Sequence, residues 1–325
     1  MPFHPDASPA LAAAWERSVG TLVELRRRLS EIADFPGLET VAIAGSLARC
    51  EQTAGSDADL IVVTSADDGE TAMRIWRSVW ERLEPGAFPR PKPDGIFARP
   101  LSSAALCDPV TLGVVDEDMI AFGLRMQLLL EGRPLCNDDR FATLLRQILL
   151  RFLSGGKGES NPWRPLLDDL LRYHRSLCVR YRTARHVEPH GRRELRIKAG
   201  FGRLANVVGL LVLLGDSLAE TDPLESVLQG CRATPLQRIA TSYQRHGDGG
   251  FVRVCASYEP FVAAFEDAAF RRGLTAGAER DAATQATVER LDVAACELKR
   301  ELSRFLIERM HGGDWRRPFC DDLLL

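Results

Sequence analysis

The chain lacks the patterns that build disulfide and zinc scaffolds. Its eight cysteines (Cys50, Cys107, Cys136, Cys178, Cys231, Cys255, Cys296 and Cys320) form no C-x-x-C pair and stand at no zinc-finger spacing from a histidine. Neither a disulfide framework nor a structural zinc site is therefore expected, and the thiols read as small apolar residues in a reducing compartment. Long apolar runs are missing too. The longest, Val207 to Leu214, falls far short of the ~20 residues a bilayer crossing needs. The first fifteen residues carry an acid and no basic cluster, so no secretory leader is expected, and a cytoplasmic protein without a membrane partner follows. Charge of one sign is also absent. With 42 Lys and Arg against 45 Asp and Glu, the net charge is -3, which excludes a general polyanion binder.

At 325 residues the chain is long enough for two domains, and 45% hydrophobic with 27% charged residues is ordinary for a globular protein. Residues 8 to 33 predict a first helix: Ser8-Pro9 offers a cap and a first-turn proline, and Leu11, Trp15, Val19, Leu22, Leu25 and Leu29 recur at helical spacing. Thr40 to Ala44 is a short apolar strand running into Gly45-Ser46, and Asp59 to Thr64 is a β-branched buried strand. Glu70 to Leu83 is an amphipathic helix, and Ile96-Phe97 begins a further strand. Beyond residue 116 strand patterns nearly vanish. Helical periodicity covers 116–130, 141–153, 165–181, 194–214 and 282–310. The fold class expected is α+β, with a small α/β domain holding a short mixed sheet over 1–115 and an all-α bundle over 116–325.

Residues 41 to 64 carry the chemistry. Gly45 has no side chain, so a phosphate can approach the backbone there. Ser46 would sit at the start of a short helix, with its hydroxyl and free N–H groups facing an anion. Asp57 and Asp59, two apart on a strand, project from one face as hard oxygen ligands suited to Mg²⁺. A D-x-D alone is more often a cap or solvated charge. Joined to a strand that ends in Gly-Ser, it becomes equipment for phosphoryl or nucleotidyl transfer.

Gly45, Ser46, Ala48, Arg49, Ser56, Asp57 and Asp59 together resemble the motif of the DNA polymerase β-like nucleotidyltransferase superfamily. Cys50 departs from it, standing where many members carry glycine. The resemblance covers about the first 110 residues. It implies a nucleotidyltransferase domain over 1–115 that moves a nucleoside monophosphate from a nucleoside triphosphate such as ATP to a hydroxyl of a small molecule, a protein or an RNA end. It also implies Mg²⁺ or Mn²⁺ held by Asp57, Asp59 and a third acid, with Gly45, Ser46, Arg49 and Ser56 at the nucleotide. Asp94 is the candidate third acid, because D-x-x-x-x-R-P, Asp94 to Pro100, is similar to a stretch of the glutamine-synthetase modifying enzymes. Pro93-Asp94-Gly95 reads equally as a turn. Without that acid the chain would be a nucleotide-binding regulatory or antitoxin-like module; a cyclic-oligonucleotide synthase is the third reading.

Arg164 to Arg203 holds eleven Lys and Arg against four acids, interleaved with Tyr173, His174, Tyr181 and His186. That suits a triphosphate or an RNA acceptor, with Arg196, Lys198 and Arg203 the nucleotide-binding candidates because they sit in an otherwise apolar helix. The stretches Arg125 to Gly132 and Leu195 to Arg203 also resemble uncharacterised bacterial nucleotidyltransferase-like proteins with an all-helical C-terminal domain. Ser154 to Ser160 lacks the spacing of a phosphate-binding P-loop and reads as an inter-helix loop. The tail from Trp315 to Leu325 mixes apolar residues with charge and is assigned to a partner subunit, as in a homodimer.

Overall fold

The computed structural model describes residues 2, 5–65, 68–83, 90–91, 95–114, 117–183, 191–275 and 282–324. Helix α1 (Pro9–Leu29) leads into strand β1 (Leu38–Ala44), the four-residue helix α2 (Gly45–Ala48), strand β2 (Asp59–Thr64) and helix α3 (Gly69–Leu83). Strand β3 (Leu101–Ser102) and helix α4 (Ser103–Cys107) precede α5 (Met119–Glu131), strand β4 (Arg133–Cys136), α6 (Asp138–Gly155) and α7 (Arg164–Thr183). The rest is helical: α8 (Gly191–Lys198), a π-turn over Ala199–Arg203, α9 (Leu204–Ser217), α10 (Pro223–Cys231), α11 (Pro235–Arg245), α12 (Phe251–Glu266), α13 (Ala268–Thr275), α14 (Ala282–His311) and α15 (Arg317–Leu324).

The α+β expectation is met by a mixed four-stranded sheet in the order β3-β2-β1-β4, set among helices. β1 runs antiparallel to β2 and to β4, while β2 and β3 are parallel across the α3 crossover. The period-2 pattern of β1 and β2 is buried on both faces. Val41, Ile43, Leu60 and Val62 pack with Leu22, Leu25 and Leu29 of α1 and with Val79 and Trp80 of α3. Ala42, Ala44, Ile61 and Val63 face the large helical core with Phe122, Ile148 and Leu167. No third layer is left to water, which is why these strands read as continuous apolar runs.

Several details differ from the sequence pattern. Strand β4 lies past residue 115, so the sheet reaches into the segment expected to be wholly helical. Its four residues include Pro134, too short and irregular to register as a strand. Ile96-Phe97 is a turn, and the strand comes later at Leu101. Ser8 makes no side-chain cap on α1. The Glu259 carboxylate of α12 accepts instead from Ala10 N–H at 2.5 Å and Leu11 N–H at 3.1 Å. The predicted helix 194–214 forms as one continuous run with a π-helical segment inside it at Ala199–Arg203, where Gly200 and Gly202 allow close packing. One helical run, Arg193–Ser217, is long and apolar enough to cross a membrane, yet 67% of that window is buried within the fold.

The C-terminal tail does not wait for a partner subunit. Trp315 and Phe319 are buried in this chain's own core. The Trp315 indole N–H donates to Asp216 Oδ1 at 2.8 Å, and Gly215 makes room for the ring. The apolar half of the tail is thus consumed internally.

Candidate nucleotide site

The register of β1 on β2 builds one end of the site. Ala44 pairs with Asp59, so the turn leaving β1 and the chain entering β2 meet at one end of the two central strands. Gly45 opens that turn at φ +73°, a left-handed conformation that suits glycine. A Cβ on Gly45 would also collide with Asp59 Oδ2. Gly45 is therefore held twice, by its own backbone and by the carboxylate seated against it. Asp57 lies before the strand and is exposed, whereas Asp59 is its first residue and half-buried. The two carboxylates lie at the same strand end and line the same cavity without both belonging to the ladder.

Helix α2 has only one turn, too short for a helix dipole of consequence. Its end explains the Cys50 departure. Cys50 N–H donates to Leu47 O and Glu51 N–H to Ser46 O, the paired bonds of a Schellman cap. The residue after the C-cap is Cys50, at φ +60°. A glycine fits that conformation more easily, and here cysteine adopts it. Ser46 Oγ donates to Ser56 Oγ at 3.0 Å, and Thr53 N–H donates to the same oxygen at 2.9 Å, so Ser56 closes the loop that carries Asp57.

These residues line a cavity of about 700 Å³. That is within the usual range for a small-molecule site. Lys198 and Arg203 line it as well, and Lys198 bonds Glu194 at 2.6 Å. Arg196 does not reach it. Two residues from Lys198 on a helix, it faces the other way and pairs with Asp292 at 2.6 Å on the exposed side. The basic stretch is likewise no single patch among the described residues. Arg164 pairs with Glu159 and Asp322, and Arg172 with Glu117 and Asp169, acids that mostly come from outside the stretch. Of the described basic residues of the stretch, Arg180, Lys198 and Arg203 alone line the cavity. Arg185 and His186, and the side chains of Tyr181, Arg182 and Arg192, lie outside the described residues.

Arg49 has a structural post that its motif position does not reveal. Its Nε donates to Glu51 at 2.8 Å and its Nη1 to Glu131 at 2.6 Å. Tyr258 Oη donates to Glu51 at 2.8 Å, and Asn206 Nδ2 to Glu131 at 2.6 Å. Gly202 of the π-turn lies flat against the guanidinium, where a Cβ would come within 2.9 Å of Nη2. Burial works against the Arg49 charge, but Glu51 and Glu131 override it and raise its pKa well above the ordinary value. Burial pushes the Glu51 carboxyl up, opposed by Arg49 and Tyr258. Sequence reasoning missed Glu51, Glu131, Asn206 and Tyr258. The one available cue was Glu131 itself, an acid ending the otherwise apolar helix α5.

The electrostatics centre on Asp59. Burial, with the charges of Asp57 and Glu131, raises its carboxyl to about 7 against the pull of Arg49 and Lys198. Two crowded carboxylates beside a serine hydroxyl are hard oxygen donors short of positive charge, and a Mg²⁺ or Mn²⁺ ion fits that set. Asp94 lies outside the described residues. Among those described, no group of three metal-ligating side chains is assembled. Burial also lowers the Arg203 pKa and raises Tyr173 to about 12. Comparison with protein-family models, with curated proteins and with solved structures found no match.

Proposed function

We propose that this cavity binds a nucleoside triphosphate with Mg²⁺ and transfers its nucleoside monophosphate to a hydroxyl. The acceptor oxygen bonds to the α-phosphorus as the bond to pyrophosphate breaks, and the hydroxyl proton is released. The observation that carries the reading is the Ala44–Asp59 pairing, which sets Gly45 directly against the half-buried Asp59 carboxylate. Gly45 lets the Asp59 carboxylate sit against the backbone at the cavity wall, and Ser46, its proton donated to Ser56, offers a hydroxyl oxygen. Lys198 and Arg203 supply positive charge from the helical wall, while Arg49 keeps the turn fixed to α5 and α12 through Glu131, Glu51 and Tyr258. When bound, the metal neutralises the triphosphate and makes the attacking hydroxyl more acidic. Asp57 and Asp59 would hold it.

One observation favours a second reading, a nucleotide-binding regulatory module. Glu51 and Glu131, acids that line the same cavity, are spent on Arg49. The test is incubation with labelled nucleoside triphosphates and Mg²⁺, comparing wild type with Asp57→Ala/Asp59→Ala. Pyrophosphate from the wild type alone supports transfer. Nucleotide bound without pyrophosphate supports the module, and a soluble cyclic product identifies a second nucleotide as acceptor.

A further inference from the structure

Asn206 of α9 is buried, at 5% exposure, and lines the cavity. Its amide orientation is dictated by its neighbour. Glu131 is ion-paired with Arg49 at 2.6 Å, so it is a carboxylate and can only accept. Asn206 must therefore present Nδ2 to it, as it does at 2.6 Å. That commits the donor end and leaves Oδ1, an acceptor, with no hydrogen-bond partner. A buried carbonyl without a donor is costly, and such groups in folded proteins generally have a reason. Of the buried side-chain atoms that lack a partner among the described residues, two belong to residues lining this cavity: Asn206 Oδ1 and Gln127 Oε1. Gln127 Nε2 lies 3.2 Å from Tyr173 Oη, which also lines the cavity.

We infer that Asn206 is a specificity-determining residue whose Oδ1 accepts a hydrogen bond from a hydroxyl of the bound substrate. Asn206 is joined through Glu131 to the Arg49 cluster and lines the same cavity as Asp57 and Asp59. Two hydroxyl sources lie next to an α-phosphate: the ribose of the nucleotide and the attacking alcohol. Gln127, whose Oε1 also lacks a partner, lines the same cavity. The inference rests on the nucleotide-transfer reading and narrows it, since it makes the site select a hydroxylated ligand over its deoxy analogue.

The experiment uses the full chain, wild type and Asn206→Leu, with Asn206→Ala as a smaller replacement should leucine disturb the core. Both variants keep the Arg49–Glu131 pair, and their melting temperatures show whether they fold. Affinities for ATP, 2′-deoxy-ATP and 3′-deoxy-ATP are measured with Ca²⁺ in place of Mg²⁺, and glycerol-dependent pyrophosphate release is measured with Mg²⁺. If the ribose is the source, the wild type prefers ATP to one deoxy analogue by about three- to tenfold, and the variants lose that preference by weakening ATP and the analogue that keeps the contacted hydroxyl while the other analogue binds as before. If the alcohol is the source, the variants bind all three nucleotides as the wild type does, while the glycerol KM rises by a similar factor. Folded variants that match the wild type in both measurements overturn the inference and leave the nucleotide site intact. A wild type that binds no nucleotide overturns the underlying reading instead.

Discussion

Replacing Asp59 with asparagine is expected to stabilise the metal-free protein while destroying its site. Its carboxyl sits at about 7 against an ordinary 3.8. At ~1.4 kcal/mol per pH unit, the ionised form costs the fold about 4 kcal/mol at most. Solvent reaching its exposed part reduces that to roughly 2–4 kcal/mol. The sign follows from the order of titration. The unfolded chain releases this proton above about pH 4, and the folded chain keeps it until about pH 7. Wild-type stability therefore falls, relative to Asp59→Asn, as pH rises across that window, and the gap is constant above it. Urea unfolding in EDTA at pH 5 and pH 8 reads this directly. Asp59→Asn should be the more stable protein at pH 8 by roughly 2–4 kcal/mol, with less than half that gap at pH 5. Mg²⁺ with nucleotide should close the gap, because only the wild type gains by binding. Equal stabilities at pH 8 without metal would refute the crowding of Asp57, Asp59 and Glu131 on which the site is built.

Gly45→Ala forces a left-handed backbone on alanine and drives a methyl into the Asp59 carboxylate. It should cost about 2 kcal/mol in urea unfolding and abolish nucleotide binding. At Cys50 the left-handed cap makes glycine tolerable and a β-branched residue not: Cys50→Gly should fall within about 1 kcal/mol of wild type, and Cys50→Val should lose about 2 kcal/mol or more. Arg49→Met leaves Glu51 and Glu131 buried without a counter-charge, and a loss of about 3 kcal/mol is expected by the same assay. Glu259→Ala removes the carboxylate that caps α1, and calorimetry should show a loss of about 1–2 kcal/mol.

The site's first half was legible because it is local. Gly45, Ser46, Asp57 and Asp59 lie within fifteen residues on a β-hairpin-like pair, so strand pattern and motif spacing placed them together before any coordinates. Arg49 was legible as a residue and illegible as a role. Its partner Glu131 is 82 positions away, and Tyr258 reaches Glu51 across 207. Periodicity reads which face of a helix is buried, not which distant charge that face meets. The same limit misplaced Arg196 and made the Arg164–Arg203 stretch look like one surface, since its balancing acids are supplied by the fold. Strand β4 escaped notice because four residues with a proline carry no alternation. The tail escaped because Trp315 and Phe319 match a pocket formed by remote helices.

Titration of Mn²⁺ with a nucleoside triphosphate into wild type and Asp57→Ala/Asp59→Ala, followed by calorimetry and by Mn²⁺ paramagnetic resonance, tests the central claim most directly. The account requires nucleotide-dependent Mn²⁺ binding by the wild type that the double variant loses while remaining folded. Equal binding by the two proteins, or none by the wild type, would contradict it.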